Sequence, residues 1–394
     1  MFHIRTVNNI SHDGLNVFEK DLFNISDAQE NPDAILVRSA DLHSLEFSPA
    51  LKAIGRAGAG TNNIPIDRCT KAGIVAFNTP GANANAVKEL VLASLFIASR
   101  NIYEGIEYTN SLAGKNDHDI HTTVEKDKVK FKGYEIRGKK LGVMGLGAIG
   151  MMVANDAVTL GLDVEGYDPF ISVNTAWALS RAVKPATNLN KLFSTSDFIS
   201  VHVPLTDKTR GVINAELLSH VKKGSVLLNF SRSEVVNEQD IVAALDAGHL
   251  SRFVTDFPSE TLLKHKKVIC IPHLGASTKE AENNCSVMVS AQIRDFLING
   301  NITNSVNFPN CSIERTTDIR LILSNENVPN MVGQITSVLA SENLNISEMV
   351  NKSRGDLAYN IVDLNQRPSQ AALEKLKGIP GVLMVRLLEN KQGE

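Results

Sequence analysis

The stretch Gly145-Leu146-Gly147-Ala148-Ile149-Gly150 decides the fold of this chain. An apolar run at residues 141–144 predicts a buried strand before it, and an Ala-, Val- and Met-rich segment predicts a helix after it. Gly145 permits the tight turn, Gly147 leaves the backbone open to a pyrophosphate, and Gly150 lets the helix pack closely on its strand. Free N–H groups at the helix N-terminus favour an anion. The pattern therefore indicates a dinucleotide-binding unit.

A second predicted strand, residues 164–167, ends in Asp168, which lies 18 residues after Gly150. An acidic side chain at this point accepts both hydroxyls of an adenosine ribose and repels a 2′-phosphate. Pro169 and Phe170 follow, so no adjacent basic residue offsets that repulsion. The sequence therefore predicts NAD in preference to NADP. A glycine-rich turn in an ordinary α/β domain is the alternative, and it does not account for the strand, the helix and the acid together.

The composition argues against several classes of partner. The 40 basic and 43 acidic residues nearly cancel, and no long basic block favours nucleic acid or an anionic membrane. The four cysteines lack C-x-x-C spacing, which argues against a zinc site or a disulfide framework and suits a reducing compartment. No signal-peptide run or membrane-spanning run stands in the sequence. We expect a cytoplasmic protein that acts on a small molecule and holds no metal.

Patterning along the chain predicts an α/β fold with two doubly wound parallel-sheet domains and a smaller third domain. The polar stretch at residues 110–138 predicts a surface connection. The final part reads strand, helix, strand, strand, helix, strand, which is the ferredoxin-like order. The predicted boundaries are a discontinuous substrate-binding domain at 1–98 and 274–305, a Rossmann NAD-binding domain at 99–273, a linker at 306–316 and a βαββαβ domain at 317–394.

Three polar residues follow predicted strands of the cofactor domain, at the edge where open α/β sheets hold ligands. Arg232 follows a buried run, and its guanidinium can hold a carboxylate by two parallel bonds. His273 follows the last strand and can exchange a proton near neutral pH. Glu260, on the preceding loop, can bond the far imidazole nitrogen and fix its tautomer. Each residue alone also fits a purely structural role, as a surface arginine, a solvated glutamate or a capping histidine.

The combination of motifs resembles the D-2-hydroxyacid dehydrogenase family, over essentially the whole chain. The C-terminal part resembles an ACT domain, so the chain is similar to short family members that end in one. The stretches that carry the resemblance are residues 54–63, 78–80, 145–150, Asp168-Pro169, 202–206, 229–232 and 272–278.

The resemblance implies NAD-dependent oxidation of D-3-phosphoglycerate to 3-phosphohydroxypyruvate, the first step of serine synthesis. It also implies a homodimer or homotetramer and serine as a regulatory ligand. A dehydrogenase for another D-2-hydroxyacid, such as glycerate, is one alternative. An NAD-sensing binding module similar to a corepressor is another, and a turnover assay separates it from an enzyme.

The resemblance also implies residue roles. His273 corresponds to the acid/base, Glu260 to its partner and Arg232 to the arginine that binds the α-carboxylate. The implied cofactor residues are Gly145, Gly147, Ala148, Ile149, Gly150, Asp168, His202, Pro204, Phe230, Ser231, Asp256 and Gly275. The implied substrate residues are Arg38, Ser39, Arg56, Gly58, Ala59, Gly60 and Asn83, with the arginines and Ser39 on the phosphate. The implied serine ligands are Asn325, Asn327 and Asn345.

The sequence departs from the family pattern at a few of these positions. Asp256 stands one position later than the usual aspartate, which weakens its expected contact with the nicotinamide carboxamide. Ser233 replaces a frequent glycine after Arg232, and Thr261 replaces a frequent proline after Glu260. Asn330 stands where a glycine is usual in the ACT turn. None of the departures removes a reacting group.

Overall fold

The computed structural model describes residues 1–389 and divides into two compact units. The central unit is Ala84–Thr278, and the split unit combines Met1–Asn83 with the chain from Lys279 onward. The last five positions of the predicted C-terminal domain, 390–394, lie outside the described residues. No helix within residues 1–389 is long and apolar enough to cross a membrane.

The first part of the split unit is a parallel sheet with the strand order β2-β1-β3-β4-β5. Its apolar side chains pack between the sheet and helices, as a doubly wound arrangement requires. The elements are β1 (Phe2–Val7), α1 (His12–Leu15), β2 (Phe23–Ser26), β3 (Ala34–Val37), β4 (Ala53–Arg56), α2 (Ile66–Lys71) and β5 (Val75–Phe77).

The central unit is a seven-stranded parallel sheet in the order β12-β11-β10-β9-β6-β7-β8. Its helices are α3 (Ala84–Arg100), α4 (Ile102–Asn110), α5 (Asp117–Asp127), α6 (Ala148–Thr159), α7 (Val173–Ala178), α8 (Leu189–Thr195), α9 (Ala215–Ser219), α10 (Glu238–Asp246) and α11 (Glu260–Leu263). Its strands are β6 (Lys140–Met144), β7 (Asp163–Tyr167), β8 (Lys184–Pro185), β9 (Phe198–Val201), β10 (Ser225–Asn229), β11 (Leu250–Thr255) and β12 (Val268–Cys270). The order reverses between β6 and β9, which is where such sheets bind ligands.

The chain then returns to the split unit through α12 (Lys279–Asn299) and ends in an antiparallel sheet of order β14-β15-β13-β16. The other elements are β13 (Ile319–Glu326), α13 (Met331–Ser341), β14 (Ile346–Arg354), β15 (Leu357–Leu364), α14 (Gln370–Lys377) and β16 (Val382–Glu389). This order confirms the predicted fold class, with two parallel α/β sheets and a ferredoxin-like βαββαβ domain.

The C-terminal part of the chain hydrogen-bonds to the C-terminal end of α12. The last carbonyls of a helix have no partner within it, and cations are favourable beside them. Side chains of the C-terminal part donate hydrogen bonds to these carbonyls. Arg386 donates to Leu297 at 3.1 Å, Arg315 to Ile298 at 3.4 Å, Arg320 to Asn299 at 3.0 Å and Tyr359 to the adjoining Gly300 at 2.7 Å. Arg320 also forms a fully buried ion pair with Asp363, at 2.6 and 2.9 Å.

The units divide at different positions from the predicted domains. Helix α3, which we predicted in the substrate-binding domain, packs through Val87, Val91 and Leu95 into the same core as Val153 of α6, so it belongs to the central unit. The predicted linker at 306–316 contains buried apolar residues such as Phe308. The predicted linker and the βαββαβ domain therefore form one body with the N-terminal sheet.

The polar stretch at 110–138 contains regular structure that we did not predict. Asn116 caps α5 by accepting a bond from the backbone of Asp119 at 3.0 Å. No residue of that helix is buried, in keeping with a surface segment. The helix was missed because only Ile120 and Val124 form an apolar face among its polar residues, which is too short a period to mark a helix.

Candidate active site

The glycine loop between β6 and α6 has a distinct physical requirement at each glycine. Gly145 has φ of 90°, and a Cβ there would approach the backbone of His202 to 2.8 Å. A Cβ on Gly150 would overlap the carbonyl oxygen of Gly145, so the helix and the turn are in close contact. Gly147 is the N-cap of α6, and a Cβ built on it would have no neighbouring atom within 4 Å. The open side of the loop therefore suits a pyrophosphate against the helix N-terminus, with Ala148 and Ile149 in its first turn.

Asp168 lies at the end of β7, beside this loop. Its carboxylate accepts backbone N–H bonds from Leu146 and from Phe170, both at 2.9 Å. These bonds fix the carboxylate next to the glycine turn and leave further lone pairs on both oxygens, since a carboxylate accepts about four bonds. The position suits recognition of two ribose hydroxyls.

His202 follows β9 on the other side of the glycine loop. Its Nε2 lies 2.7 Å from the hydroxyl of Ser200, and its buried Nδ1 has no hydrogen-bond partner among the described residues. Burial lowers the pKa of His202 to about 3, so the imidazole is neutral at working pH. An orphaned buried nitrogen beside the loop is a polar group that a bound ligand can satisfy.

Arg232, Asp256 and His273 lie together at the carboxyl edge of β10, β11 and β12. The backbone N–H of His273 donates to the carbonyl of Asp256 at 3.0 Å. The backbone N–H of Gly275 donates to Oδ2 of the Asp256 side chain at 3.3 Å. Burial raises the pKa of Asp256, whose residue is only 2% exposed, and the charges of His273 and Arg232 act in the opposite direction. Its Oδ1 is buried without a hydrogen-bond partner in the described part of the chain.

The loop that carries His273 holds an unusual conformation. His273 has φ of 38°, in the left-handed region that non-glycine residues seldom adopt. The ring of Phe257 meets its imidazole edge to face, with centroids 5.0 Å apart. The imidazole is itself exposed, so the aromatic contact orients a side chain that stays accessible to a ligand.

The structure does not bring Glu260 to His273, contrary to the prediction from the sequence. Glu260 is the first residue of α11, its side chain is 85% exposed, and its carboxylate pairs with Lys264 at 2.6 Å. The cause is local, because residues four apart on a helix face each other. The acid on which the charge of His273 acts is Asp256 instead.

Other predicted cofactor residues occupy varied surroundings. Phe230 packs in the hydrophobic core, so only its backbone is available to a cofactor. Ser231 is buried and donates from its hydroxyl to Asn229 at 3.0 Å. Pro204 is exposed and Gly275 is buried against Asp256. Phe230 therefore stays a predicted cofactor residue through its backbone alone, since the aromatic ring completes the core of the sheet.

In the split unit, the predicted carboxylate loop adjoins the predicted phosphate arginines. Arg56 ends β4 and donates from Nε to the carbonyl of Arg38 at 3.0 Å. A Cβ on Gly60 would overlap the guanidinium of Arg56, so the loop stays close to the charge because it has no side chain there. Asn78 donates to the carbonyl of Ala59 at 2.6 Å, and Thr79 N–H donates to the carbonyl of Gly58 at 3.1 Å.

Arg38 has an acidic partner that the sequence did not reveal. Its Nη2 donates to Glu282, in the first turn of α12, at 2.6 Å. The guanidinium lowers the pKa of Glu282. The two residues are 244 positions apart, so no local pattern marks the pair. Of the other predicted substrate residues, Ser39 is exposed and bonds to Asn8 through its backbone, and Asn83 is half-buried before α3.

The predicted serine ligands lie at two ends of the C-terminal sheet. Asn325 is buried and accepts from Asn360 at 2.7 Å, while its own amide donates to the carbonyl of Glu326. Asn327 donates to the carbonyl of Gly355 at 3.1 Å, beside the turn between β14 and β15. Asn345 precedes β14, whose first residue aligns with the far end of β15. One chain therefore does not gather the three asparagines around one small ligand.

Comparison with known proteins gives the family. Residues 93–275 match the model described as D-isomer specific 2-hydroxyacid dehydrogenase, NAD binding domain. A D-3-phosphoglycerate dehydrogenase of Escherichia coli (strain K12) is 31% identical over 351 residues, which are 86% of this chain and 82% of that protein. This chain belongs to the D-isomer-specific 2-hydroxyacid dehydrogenase family. The predicted family and the predicted NAD-binding domain are confirmed.

Two further similar proteins differ in how much of their own length this chain matches. The D-3-phosphoglycerate dehydrogenase of Methanocaldococcus jannaschii is 34% identical over 347 residues, 86% of this chain, but the chain spans only 63% of that protein's length. The NAD+-bound 3-phosphoglycerate dehydrogenase structure from Entamoeba histolytica has a TM-score of 0.61 at 26% identity and covers 78% of this chain and 98% of its own.

Proposed function

We propose that this protein oxidises D-3-phosphoglycerate to 3-phosphohydroxypyruvate with NAD as the hydride acceptor. The observation that supports the chemistry most directly is the cluster of an arginine, a buried carboxylate and an accessible histidine at one edge of the dinucleotide-binding sheet. The free thiols of its four cysteines suit a reducing compartment, and we propose the cytoplasm.

In the proposed reaction the three residues of the cluster have different roles. His273 would accept the proton of the C2 hydroxyl, and NAD held at the glycine loop would supply the hydride-acceptor chemistry for the same carbon. Arg232 holds the α-carboxylate and stabilises charge on the C2 oxygen. Asp256 favours the imidazolium that forms on His273, because it is the buried acid on which that charge acts. Glu260 can contact His273 only after its carboxylate breaks the ion pair with Lys264.

The phosphate of the substrate is the proposed ligand of the arginines in the split unit. Arg56 adjoins the loop Gly58–Gly60, and its Nε donates to the carbonyl of Arg38. Guanidinium groups bind phosphate oxygens through paired N–H donors. An enzyme for an unphosphorylated D-2-hydroxyacid has no need of this pair, so the pair favours a phosphorylated substrate.

The assay that tests this proposal measures NADH oxidation with a panel of 2-oxoacids, including 3-phosphohydroxypyruvate, hydroxypyruvate and 2-oxoglutarate. We expect the phosphorylated substrate to have the highest kcat/KM. Replacing His273 with Ala should lower kcat by roughly a hundredfold to ten-thousandfold, because general acid–base catalysis is lost. His249→Ala, at an exposed site in the same unit, is the control. Binding of NADH without turnover of any oxoacid would favour an NAD-sensing module instead.

We further propose that serine binds between two copies of the C-terminal domain. Strand β14 is an edge of its sheet, and antiparallel pairing of two such edges would place Asn345 of the partner subunit beside the Gly355 turn and Asn327. Within one chain, the register separates Asn325 from the start of β14 by about 20 Å at 3.3 Å per residue. Loss of serine inhibition in Asn345→Ala at an unchanged oligomeric state, measured by light scattering, would support ligation, whereas a shift in oligomeric state would indicate a role in assembly.

A further inference from the structure

Glu282 is an acidic residue inside the group of charges proposed to receive a phosphate. The thiol of Cys285, one helical turn further along α12, is buried and is acted on by the charges of Arg38, Arg56 and Glu282 together. Glu282 and Arg38 are in direct contact, so an acid lies beside an arginine proposed to bind the phosphate. A carboxylate there is unexpected, because it repels a phosphate dianion.

The ion pair between Glu282 and Arg38 is one that a competing anion can replace. The side chains are 35% and 44% exposed, and a single Nη2–Oε1 bond at 2.6 Å joins them. Ion pairs exposed to this degree contribute little net stability, because water solvates both partners when they separate. A phosphate carries more charge than a carboxylate and can take two parallel bonds from a guanidinium.

The backbone that carries Glu282 is held in place, so its displacement by a phosphate moves only the side chain. It belongs to the first turn of α12, where its carbonyl accepts a bond from the hydroxyl of Ser286 at 2.9 Å. The Ser286 hydroxyl in turn accepts from the backbone of Ser11 at 3.2 Å. The backbone of residue 282 is therefore held near Arg38, so the carboxylate can return to the guanidinium when a phosphate leaves.

We propose that Glu282 is a specificity-determining residue that competes with the substrate's phosphate for Arg38. The proposal rests on the proposed function, since it assigns the phosphate to this arginine. Free phosphate must displace the carboxylate with no other contact to help it. A substrate that also binds the Gly58–Gly60 loop through its carboxylate gains a second contact at the same time. The acid therefore weakens binding of any phosphate at Arg38 by a similar factor, so that only a ligand with a second contact binds tightly.

The test compares Glu282→Gln with wild type in steady-state reduction of 3-phosphohydroxypyruvate and hydroxypyruvate. We expect KM for the phosphorylated substrate to fall by a factor of up to about five, since a half-exposed ion pair is worth at most about 1 kcal/mol. KM for hydroxypyruvate and kcat for both should stay unchanged. Glu280→Gln removes the same charge from the same helical turn and is the control. Arg38→Ala with Glu282→Gln should behave like Arg38→Ala alone.

A binding measurement keeps this inference separate from the proposed function. Isothermal titration of inorganic phosphate needs no turnover, and Glu282→Gln should bind phosphate up to about fivefold more tightly, while Arg38→Ala binds it more weakly. The difference should shrink at high salt. A higher KM for 3-phosphohydroxypyruvate in Glu282→Gln would overturn the inference, because it would mean that Glu282 orients Arg38. Equal changes for both oxoacids would also overturn it. Tighter phosphate binding in an enzyme that does not reduce 3-phosphohydroxypyruvate would refute only the proposed function.

Discussion

The two ends of helix α12 hold charged side chains in opposite ways. At its C-terminal end, Arg320 is fully buried, pairs with Asp363 through two bonds and donates to the carbonyl of Asn299. At its N-terminal end, Glu282 shares a single bond with Arg38, and both side chains are partly solvated. The first arrangement has satisfied its donors within the protein. The second leaves donors for a ligand.

The same contrast separates structural from candidate functional groups elsewhere. Asp256 and His202 each carry a buried polar atom without a hydrogen-bond partner among residues 1–389. Buried polar atoms are seldom left in this state, because the loss of hydration is not offset. Both residues lie at the carboxyl edge of the cofactor sheet. At these two positions an unpartnered buried atom coincides with the edge of the sheet that is proposed to bind the cofactor.

The largest effect on stability is expected at the C-terminal end of α12, where the donors of Arg320 are bonded within the protein. Arg320→Met should lower the free energy of unfolding by about 3–5 kcal/mol, because Asp363 would keep a buried charge without its partner. Urea unfolding measures it. Arg367→Met, which removes an exposed pair with Glu389, is the control and should cost less than about 1 kcal/mol. A small effect at Arg320 would mean that water enters the junction and that the two ends of the helix do not differ.

The second effect compares two glycines of the cofactor loop. Gly150→Ala should destabilise the protein by about 1–3 kcal/mol, because the new methyl group meets the Gly145 carbonyl and forces the helix and turn apart. Gly147→Ala meets nothing within 4 Å and should change stability by less than about 0.5 kcal/mol. It should still weaken NAD binding, measured by titration, since the methyl group occupies the open side of the loop. Unchanged NAD affinity in Gly147→Ala would move the pyrophosphate away from this loop.

These features differ in how far the sequence predicted them. The glycine loop, the strand before it and Asp168 all lie within residues 140–168, and local patterns of this kind predict the fold and the cofactor domain well. The pairs Arg38–Glu282 and Arg320–Asp363 join residues 244 and 43 positions apart, so they appear only in the folded chain. The position of Glu260 was missed because a local i, i+4 contact with Lys264 competes with the role implied by the family.

The smallest expected effect concerns His202 and acid. In the unfolded chain a histidine titrates near pH 6.5, whereas burial holds the pKa of His202 at about 3 in the folded protein. Between these values the unfolded state binds the additional proton, so the free energy of unfolding falls as pH falls from about 6.5 towards 3. His202→Gln removes this titration and can keep a polar atom near Ser200. We expect wild type to lose on the order of 1 kcal/mol more than the variant between pH 7 and pH 5, measured by urea unfolding at each pH. Parallel pH curves for the two proteins would mean that His202 is solvated when protonated, and its orphaned nitrogen would no longer set it apart from the satisfied groups around α12.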